Sequence, residues 1–375
     1  MAKKKAEVIE TGGSRAKEMI NMINSALGQN DRVLTADDEL YRAGYWPTGL
    51  LPIDVVTGGG VARGRMFFTA GESQTLKSLI GLATIAQVQR LGGTAALIDT
   101  EHSFHQDWAL ALGINLSELI LIQPEIGEEA VDQMDVMVTN EIDFICFDSI
   151  AAILTRSERE LQLSGNSHNQ PANIARLMSL ALRKLTSANR KTSILWITQM
   201  RDNIGAMPAS PKSIKTGGKA MDYYASQTLT LRKTGKITED ITYFDGEKAN
   251  ATAKRQVAQK FRAELLKSRN KAPFDIQHFV FDYVSGKIDT ASFLIGQGLD
   301  MGLITQSGRF WTYTDLNAET GEVNEEHKAG SKADFSRLVN DNAEVYNSLV
   351  YKVCEKYNLD PEVYYKAVAV EEVAA

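Results

Sequence analysis

The sequence predicts an α/β fold with a mostly parallel central sheet. Three observations point to it. Five apolar runs, Arg65–Thr69, Thr94–Asp99, Leu119–Ile122, Asp143–Asp148 and Thr192–Thr198, alternate with helical periodicities at Lys77–Leu91, Asp107–Leu112, Glu128–Thr139 and Ala172–Asn189. Those runs are nearly all apolar rather than alternating, as in parallel strands covered by helices on both faces. The third observation is where the polar residues fall: the segment 70–78, Asp99-Thr100-Glu101, Asp148-Ser149 and Gln199 all follow such runs. In sheets of this kind ligands bind at the carboxyl ends of the strands.

Composition sets the outer limits. A chain of 375 residues has room for a large core and one or two small satellites. Its 43% hydrophobic and 23% charged residues are those of a soluble globular protein. A net charge of −6 excludes chain-wide electrostatic attraction to nucleic acid but not local basic patches. Cys146 and Cys354 are far apart, with no Cys or His at ligand spacing, which argues against zinc and against a disulfide framework and fits a reducing compartment. Lys3-Lys4-Lys5 leads into polar sequence rather than an apolar stretch, so it does not read as a signal peptide. No run is long enough to span a membrane.

Taken in order, residues 14–28 predict an amphipathic helix. Ser14 can cap it, Met19, Ile23 and Leu27 share a face, and Gly28 ends it. A polar segment leads to about Tyr45, where the α/β pattern begins. Beyond it, Ser226–Arg232, Phe261–Ser268 and Gln277–Tyr283 alternate more, as antiparallel strands do, and the polar stretch from Ile237 to Gln259 reads as a surface excursion. In the last part Trp311 and Tyr313 suggest a short hairpin, and Phe335–Tyr357 reads as helices. The resulting division is 1–44, an N-terminal helix and linker whose apolar face packs on its own core or, as an oligomerisation helix, on a neighbouring subunit; 45–292, the α/β core; and 293–375, a small C-terminal domain and tail.

The segment Gly71-Glu72-Ser73-Gln74-Thr75-Leu76-Lys77-Ser78 lies between a strand and a helix start. That is the layout of a phosphate-binding loop, where successive N–H groups and the helix dipole cradle phosphate oxygens. Lys77 can reach the outer phosphates and the Ser78 hydroxyl can ligate Mg2+. Leu76 stands where the loop usually has Gly, and an ordinary strand-to-helix turn stays open for this segment alone. Asp148, ending an apolar strand, suits a magnesium-binding carboxylate; its other reading is a helix cap. Glu101 can orient or deprotonate a water attacking the γ-phosphate, or it is a surface carboxylate. His102 beside it reads as a structural histidine. Gln199 can sense the γ-phosphate from its strand end.

Two polar loops fall on the same edge. Leu163–Gln170 is one, and Met200–Gly218, with Arg201, Lys212, Lys215 and then Lys219, is the other. Arg176 and Arg183, seven residues apart, share a helix face. These features can track a phosphodiester backbone or form a solvated surface. Lys267 and Arg269 project from one side of a strand, either as a charged edge or as cations reaching a neighbour's phosphate.

With these residues in place the chain resembles the RecA family of recombinases from about residue 15 to 360. The resemblance rests on PTGLLPIDVVTGGGVARGR, LIDTEH, IQPEIGEEA, FDSIAAI, GNSH, ARLMSLALRKL, ITQMRDNIG, TGGKAMDYYAS and NKAPF in family order. It implies a RecA-type P-loop ATPase core with an N-terminal helix and a small α+β C-terminal domain. It also implies a filament on single-stranded DNA, using ATP and Mg2+, that pairs homologous double-stranded DNA and exchanges strands in the cytoplasm of a bacterium or phage-infected host. Accessory partners implied are a single-strand-binding protein and a mediator. Carried over by motif, Lys77 and Ser78 bind triphosphate and Mg2+, Asp148 supports the metal, Glu101 is the catalytic carboxylate, Gln199 the γ-phosphate sensor, and Trp108 stacks on adenine. Gln162–Pro171 and Met200–Thr216 match the two DNA-binding loops. Arg176, Ser179, Arg183, Arg201, Gly217, Gly218 and Lys219 match primary DNA-contact positions. Lys267 and Arg269 match the pair that reaches ATP across the subunit interface, and Tyr223 an aromatic that links subunits. Glu264 replaces a basic residue of the second DNA site, leaving Arg232 and Lys233 for that role. A bulky residue at the place of Leu76 resembles the UvsX-type recombinases of phages. Two other readings on the same fold stay open: a ring-forming helicase or ATPase, and a DNA-coating filament with little hydrolysis.

Overall fold

The apolar runs of the first half form the middle of one large sheet. The structure, a computed structural model, describes residues 11–28, 33, 44–160, 170–202, 213–215, 217–243, 251–269, 275–316 and 323–366. The chain divides into two compact units, Met1–Gly44 and Tyr45–Ala375. In the first, helix α1 spans Thr11–Leu27, beginning before the expected cap at Ser14. Met19 and Met22 are exposed on it, and Asn24 Nδ2 donates to the Val33 carbonyl at 3.1 Å.

The second unit opens with β1 (Tyr45–Trp46), α2 (Leu51–Thr57) and β2 (Val61–Ala62). Then come β3 (Met66–Gly71), α3 (Lys77–Arg90), β4 (Ala95–Asp99), α4 (Gln106–Ala111), β5 (Leu119–Ile122), α5 (Gly127–Thr139), β6 (Phe144–Asp148), α6 (Arg156–Glu160), α7 (Gln170–Ala188) and β7 (Ser193–Asp202). They are followed by β8 (Ser213–Lys215), α8 (Ala220–Tyr224), β9 (Gln227–Tyr243), β10 (Ala251–Ser268), β11 (Ile276–Asp282) and β12 (Lys287–Ile288). The order across the large sheet is β12-β11-β10-β9-β3-β7-β6-β4-β5, with β8 pairing β7. From β9 to β5 neighbours run parallel, and from β9 to β12 antiparallel, so β9 is the strand at which the sheet changes character.

Successive residues of a strand face opposite sides. Phe67, Cys146 and Leu195 therefore pack under α3 on one face, while Phe68, Ile145 and Trp196 pack under α5 and α7 on the other. Both faces are dry, which is why the strands read as unbroken apolar runs. β5 is the edge strand, and Ile120 and Leu121 on it are exposed. β7 runs four residues past the expected end at Thr198, because beyond that point it pairs with β8 through Met200 and Lys215.

One expectation is corrected. The polar stretch from Ile237 to Gln259 is not an irregular excursion: in its described part it is the outer half of β9 and β10, paired from Ile237 with Ala258 out to Tyr243 with Ala251. Opposite charges face each other across it, Glu239 with Arg255 at 2.5 Å and Asp240 with Lys254. A two-stranded ribbon wet on both faces has little apolar pattern to reveal it.

The C-terminal elements are α9 (Thr290–Asp300), β13 (Ile304–Ser307), β14 (Phe310–Leu316), β15 (Val323–Ala329), α10 (Lys332–Asp341) and α11 (Ala343–Tyr357). The expected hairpin is a three-stranded sheet, β13-β14-β15. Leu294, Tyr313 and Leu349 belong to the same apolar cluster as Phe67 and Leu195, and α9 crosses position 292. No helix among the described residues is long and apolar enough to cross a membrane.

A buried carboxylate joins distant parts of this unit. Asp54, fully buried on α2, accepts hydrogen bonds from Thr48 N at 2.9 Å, Thr48 Oγ1 at 2.8 Å, Gly49 N at 3.1 Å and the Tyr364 hydroxyl at 2.6 Å. Burial pushes its pKa up to about 6 although those donors pull it down. The folded-state value lies above the ordinary 3.8, so folding holds a proton between the two. Stability from this group is present below the ordinary value and lost as pH rises through about 6. In denaturant titrations, the stability of the wild type relative to Asp54→Asn should therefore fall by up to about 3 kcal/mol from about pH 4 to about pH 6 and then level off. Tyr364→Phe should cost about 1 kcal/mol.

Candidate nucleotide and nucleic-acid site

β3 ends at Gly71, where the chain turns under another strand. A Cβ at that position would stand 2.4 Å from Thr75 Oγ1 and 2.7 Å from the Leu231 carbonyl oxygen, so only glycine fits. Thr75 Oγ1 closes the turn by donating to the Glu72 carbonyl at 2.8 Å. Leu76 caps α3 in the left-handed region, with φ 65° and ψ 18°. This is the physical reason glycine is usual there: a side chain in that conformation costs about 1 kcal/mol. Leu76 offsets the cost by packing against the core.

Lys77 Nζ donates to the Glu72 carbonyl at 2.5 Å and lies 3.3 Å from Thr75 Oγ1. Burial pulls the Lys77 pKa below its ordinary value, while Asp148 and Glu101 oppose the shift and Lys233 adds to it. Asp148, at the end of β6, accepts a hydrogen bond from the Ser78 side chain. Its carboxyl is pushed up to about 6, by burial first and then by the repulsion of Glu101 and Asp99. Glu101 Oε1 accepts from Ser149 Oγ at 2.6 Å and faces Gln199 Nε2 at 3.5 Å. Thr100 Oγ1 bridges to Ser149, accepting from its N–H at 2.9 Å and donating to its carbonyl at 2.8 Å; the Asp148–Ser149 peptide is cis. Asp99 is occupied by Ser103 N, Phe104 N and Gln123 Nε2 and acts as a local brace. His102 holds a left-handed turn position, φ 53°.

These groups suit a nucleoside triphosphate with Mg2+. The Ser78 hydroxyl already meets the Asp148 carboxylate, which makes a hard-oxygen pair of the kind Mg2+ takes. Gly71 lets the backbone approach closely, and the N–H groups from Ser73 to Ser78 lie at the start of α3. A cavity of about 580 Å3 runs from Gln74–Leu79 to Gln256 on β10 and Tyr283 just past β11. Trp108, on α4 and partly exposed, is not part of that lining; its ring lies 3.3 Å from where a Cβ on Gly286 would sit. The aromatic that does line the cavity is Tyr283. Sequence reasoning missed Tyr283 and Gln256, and it missed Ser149 as the partner of Glu101. A strand-end aromatic was a signal for the first; Gln256 gave none inside a polar stretch.

The positions matched to DNA contacts divide into groups. Gly217 and Gly218 take left-handed φ values of 112° and 83°. A Cβ on Gly217 would stand 2.6 Å from Met221 Sδ and 3.2 Å from Ile150 Cγ2, and one on Gly218 3.1 Å from Ala175 Cβ. The double glycine, with exposed Lys219 beside it, thus lies against the start of α7, next to exposed Arg176. Ser179 and Arg183 continue along that helix, Arg183 Nε donating to the Ser179 carbonyl at 3.2 Å. Arg201 lies on β7, and its side chain is outside the described residues, as are 161–169 and 203–212 of the two loops. Arg232 and Lys233 are exposed on β9 just beyond Leu231, which is level with Gly71, so the electrostatic reach of Lys233 extends to the phosphate loop. Arg262, across from Arg232, pairs with Glu264 at 3.0 Å.

Lys267 and Arg269 converge elsewhere. Lys267 Nζ donates to the Asp222 carbonyl and Arg269 Nη2 to the Tyr223 carbonyl at 3.1 Å. Tyr223 itself is 73% exposed, which leaves its ring open to a partner.

A sheet that delivers a phosphate loop into a helix start, with a carboxylate two strands away facing the loop hydroxyl, defines a P-loop nucleotide-binding protein. The sequence profile of the RecA N-terminal domain matches residues 15–283, and the chain belongs to the RecA family. Protein RecA of Saccharopolyspora erythraea is 34% identical over 321 residues, covering 84% of this chain and 85% of the relative. That of Frankia casuarinae is 33% identical over 365 residues, covering 96% and 98%. That of Deinococcus radiodurans is 34% identical over 325 residues, covering 86% and 83%. Membership places the chain with RecA-type proteins of DNA recombination and repair.

The left-handed cap reverses the usual helix ranking of alanine over glycine. Leu76→Ala keeps the backbone cost and loses the packing, so it should unfold about 1 kcal/mol more easily than Leu76→Gly, as read by denaturant titration of both.

Proposed function

We propose that this chain is a DNA-dependent ATPase that forms helical filaments on single-stranded DNA and catalyses homologous pairing and strand exchange. The observation that carries the proposal is the continuity between the nucleotide groups and the DNA-contact positions. Ile150 follows Asp148-Ser149 and abuts Gly217, and Gly218 abuts Ala175 of α7. Gln199 is followed by Met200, whose partner on β8 is Lys215, two residues before Gly217. A change at the γ-phosphate position thus has two short routes to Arg176 and Lys219. On this reading Lys77 and the loop N–H groups hold the phosphates, Ser78 and Asp148 hold Mg2+, and Glu101 orients the attacking water. Gln199 reads the γ-phosphate. Bound Mg2+ supplies charge neutralisation on the phosphate oxygens. Single-stranded DNA lies along Arg176, Ser179, Arg183, Arg201 and Gly217–Lys219, and double-stranded DNA approaches Arg232 and Lys233.

The filament follows from where the second cation pair stands. Arg269 N donates to the Ser226 carbonyl, and Ser226 N to that of Met66, so Arg269 is level with the start of β3. The phosphate loop leaves the other end at Gly71, five residues or about 16 Å along the strand. Lys267 and Arg269 therefore serve a nucleotide held by a neighbouring copy. Such head-to-tail contacts close into a ring or continue as a helix. Segment 1–44 is proposed as the docking helix and linker, 45–292 as the ATPase core and 293–375 as the C-terminal domain. A single-strand-binding protein and a mediator are proposed accessories, and the cytoplasm of a bacterium, or of a phage-infected host, the setting. Leu76 is what supports a phage-type, UvsX-like origin; the relatives named above are bacterial.

ATP hydrolysis measured with and without single-stranded DNA tests this. The wild type should be stimulated by DNA, while Lys77→Ala and the double variant Lys267→Ala/Arg269→Ala should each be folded and nearly inactive. A mixture of the two variants should regain part of the activity, because some junctions then pair an intact loop with an intact cation pair. DNA binding without turnover in the wild type would instead favour a passive DNA-coating filament. No recovery on mixing would overturn the shared site.

A further inference from the structure

The cavity that begins at the phosphate loop ends on a side chain with a fixed polarity. β10 carries a bulge between Gln256 and Ala258, and pairing with β11 stops at Ala258. Bulges re-aim side chains beside functional sites. Here Gln256 lines the cavity together with Gln74–Leu79 and Tyr283.

Gln259, 2% exposed, sets the direction of the Gln256 amide. Its Nε2 lies 2.5 Å from the Gly235 carbonyl and 3.0 Å from the Lys260 carbonyl. Both partners are acceptors, so that atom is the amide nitrogen and Gln259 Oε1 is left as an acceptor. Gln256 sits 3.1 Å from Gln259 Oε1 and 3.4 Å from the Ala258 carbonyl, again both acceptors. The group facing them must therefore be Gln256 Nε2, which leaves Gln256 Oε1 to accept a hydrogen bond from another donor. Phosphates carry no such donor near neutrality, and the loop N–H groups and Lys77 already answer them. A nucleoside does carry donors, in its ribose hydroxyls and in the exocyclic amine of adenine.

Resting on the nucleotide-binding reading above, we infer that Gln256 is a positioning and specificity residue for the nucleoside part of the bound nucleotide. It accepts a hydrogen bond from a nucleoside O–H or N–H, with Gln259 holding its amide in the accepting orientation. The polar ribbon thus reaches back to the ATP site of its own chain.

Equilibrium binding of ATP, ADP, 2′-deoxy-ATP, 3′-deoxy-ATP and inosine triphosphate to the full chain tests this. The proteins are wild type, Gln256→Leu and Lys77→Ala, with thermal unfolding as a check on folding. Gln256→Leu should weaken ATP and ADP by the same factor, about three- to tenfold. It should leave unchanged the affinity of the one analogue that lacks the donor: inosine triphosphate if the adenine amine is bound, a deoxynucleotide if a ribose hydroxyl is. A folded Gln256→Leu protein with wild-type affinity for all five would overturn the inference while leaving the ATP site intact. A loss for ATP without one for ADP would place Gln256 at the γ-phosphate and also overturn it. No nucleotide binding by the wild type would overturn this inference and the proposed function together; binding that Lys77→Ala weakens keeps the proposed site standing.

Discussion

The turn from β3 into α3 is the constraint on which the rest of the structure depends. Within a few residues the chain must leave a fully buried strand, aim several N–H groups outward and start a helix of 14 residues. Gly71 answers the first demand because the Leu231 carbonyl and Thr75 leave no room for a side chain. Leu76 answers the last in a conformation that suits glycine better. Its side chain then recovers by packing what its backbone loses. The loop is thus tied to the core through the very residue that departs from the usual pattern.

Charge organises the space above that turn. Lys77 and Asp148 sit beside Glu101 in a half-buried site: the two carboxylates hold up the lysine's affinity for its proton while burial and Lys233 pull it down, and burial with the repulsion of Glu101 raises the pKa of Asp148. The ammonium donates to the Glu72 carbonyl. A triphosphate brings the negative charge that lysine lacks, and a divalent cation brings the positive charge that Asp148 lacks. On the proposed function, nucleotide and metal would therefore answer opposite halves of one electrostatic imbalance, a physical reason for them to bind together.

How much of this was legible in the sequence depended on burial. Strands such as Phe144–Asp148 are covered on both faces, so their apolar runs marked them almost to the residue, and the polar residues at their ends are those the structure gathers at the candidate site. The outer ribbon of β9 and β10 is wet on both faces, and polarity there looks the same in a loop. Gln256 was hidden for that reason: its role depends on a bulge and on Gln259, which are facts of strand pairing. Leu76 was visible as a departure, but its cost is a backbone angle. Trp108 and Tyr283 show the converse problem: both are aromatics of the same unit, and only the structure shows that Tyr283 lines the cavity while the Trp108 ring, on α4, packs against Gly286.

The two ends of β3 would give the proposed assembly its direction. One end delivers the phosphate loop; the other lies level with Arg269, which with Lys267 is gathered on the last carbonyls of α8. The same α8 begins just after Gly217–Lys219 and carries exposed Tyr223. A neighbour's triphosphate competing for those two cations would draw them from the α8 carbonyls and so release a constraint on the segment that leads to the DNA-contact positions. In a head-to-tail array each nucleotide would then act on the DNA segment of two subunits: its own through Gln199 and β8, and the next through α8. That double coupling needs no moving domain, only the short α8 held between a glycine pair on one side and two cations on the other.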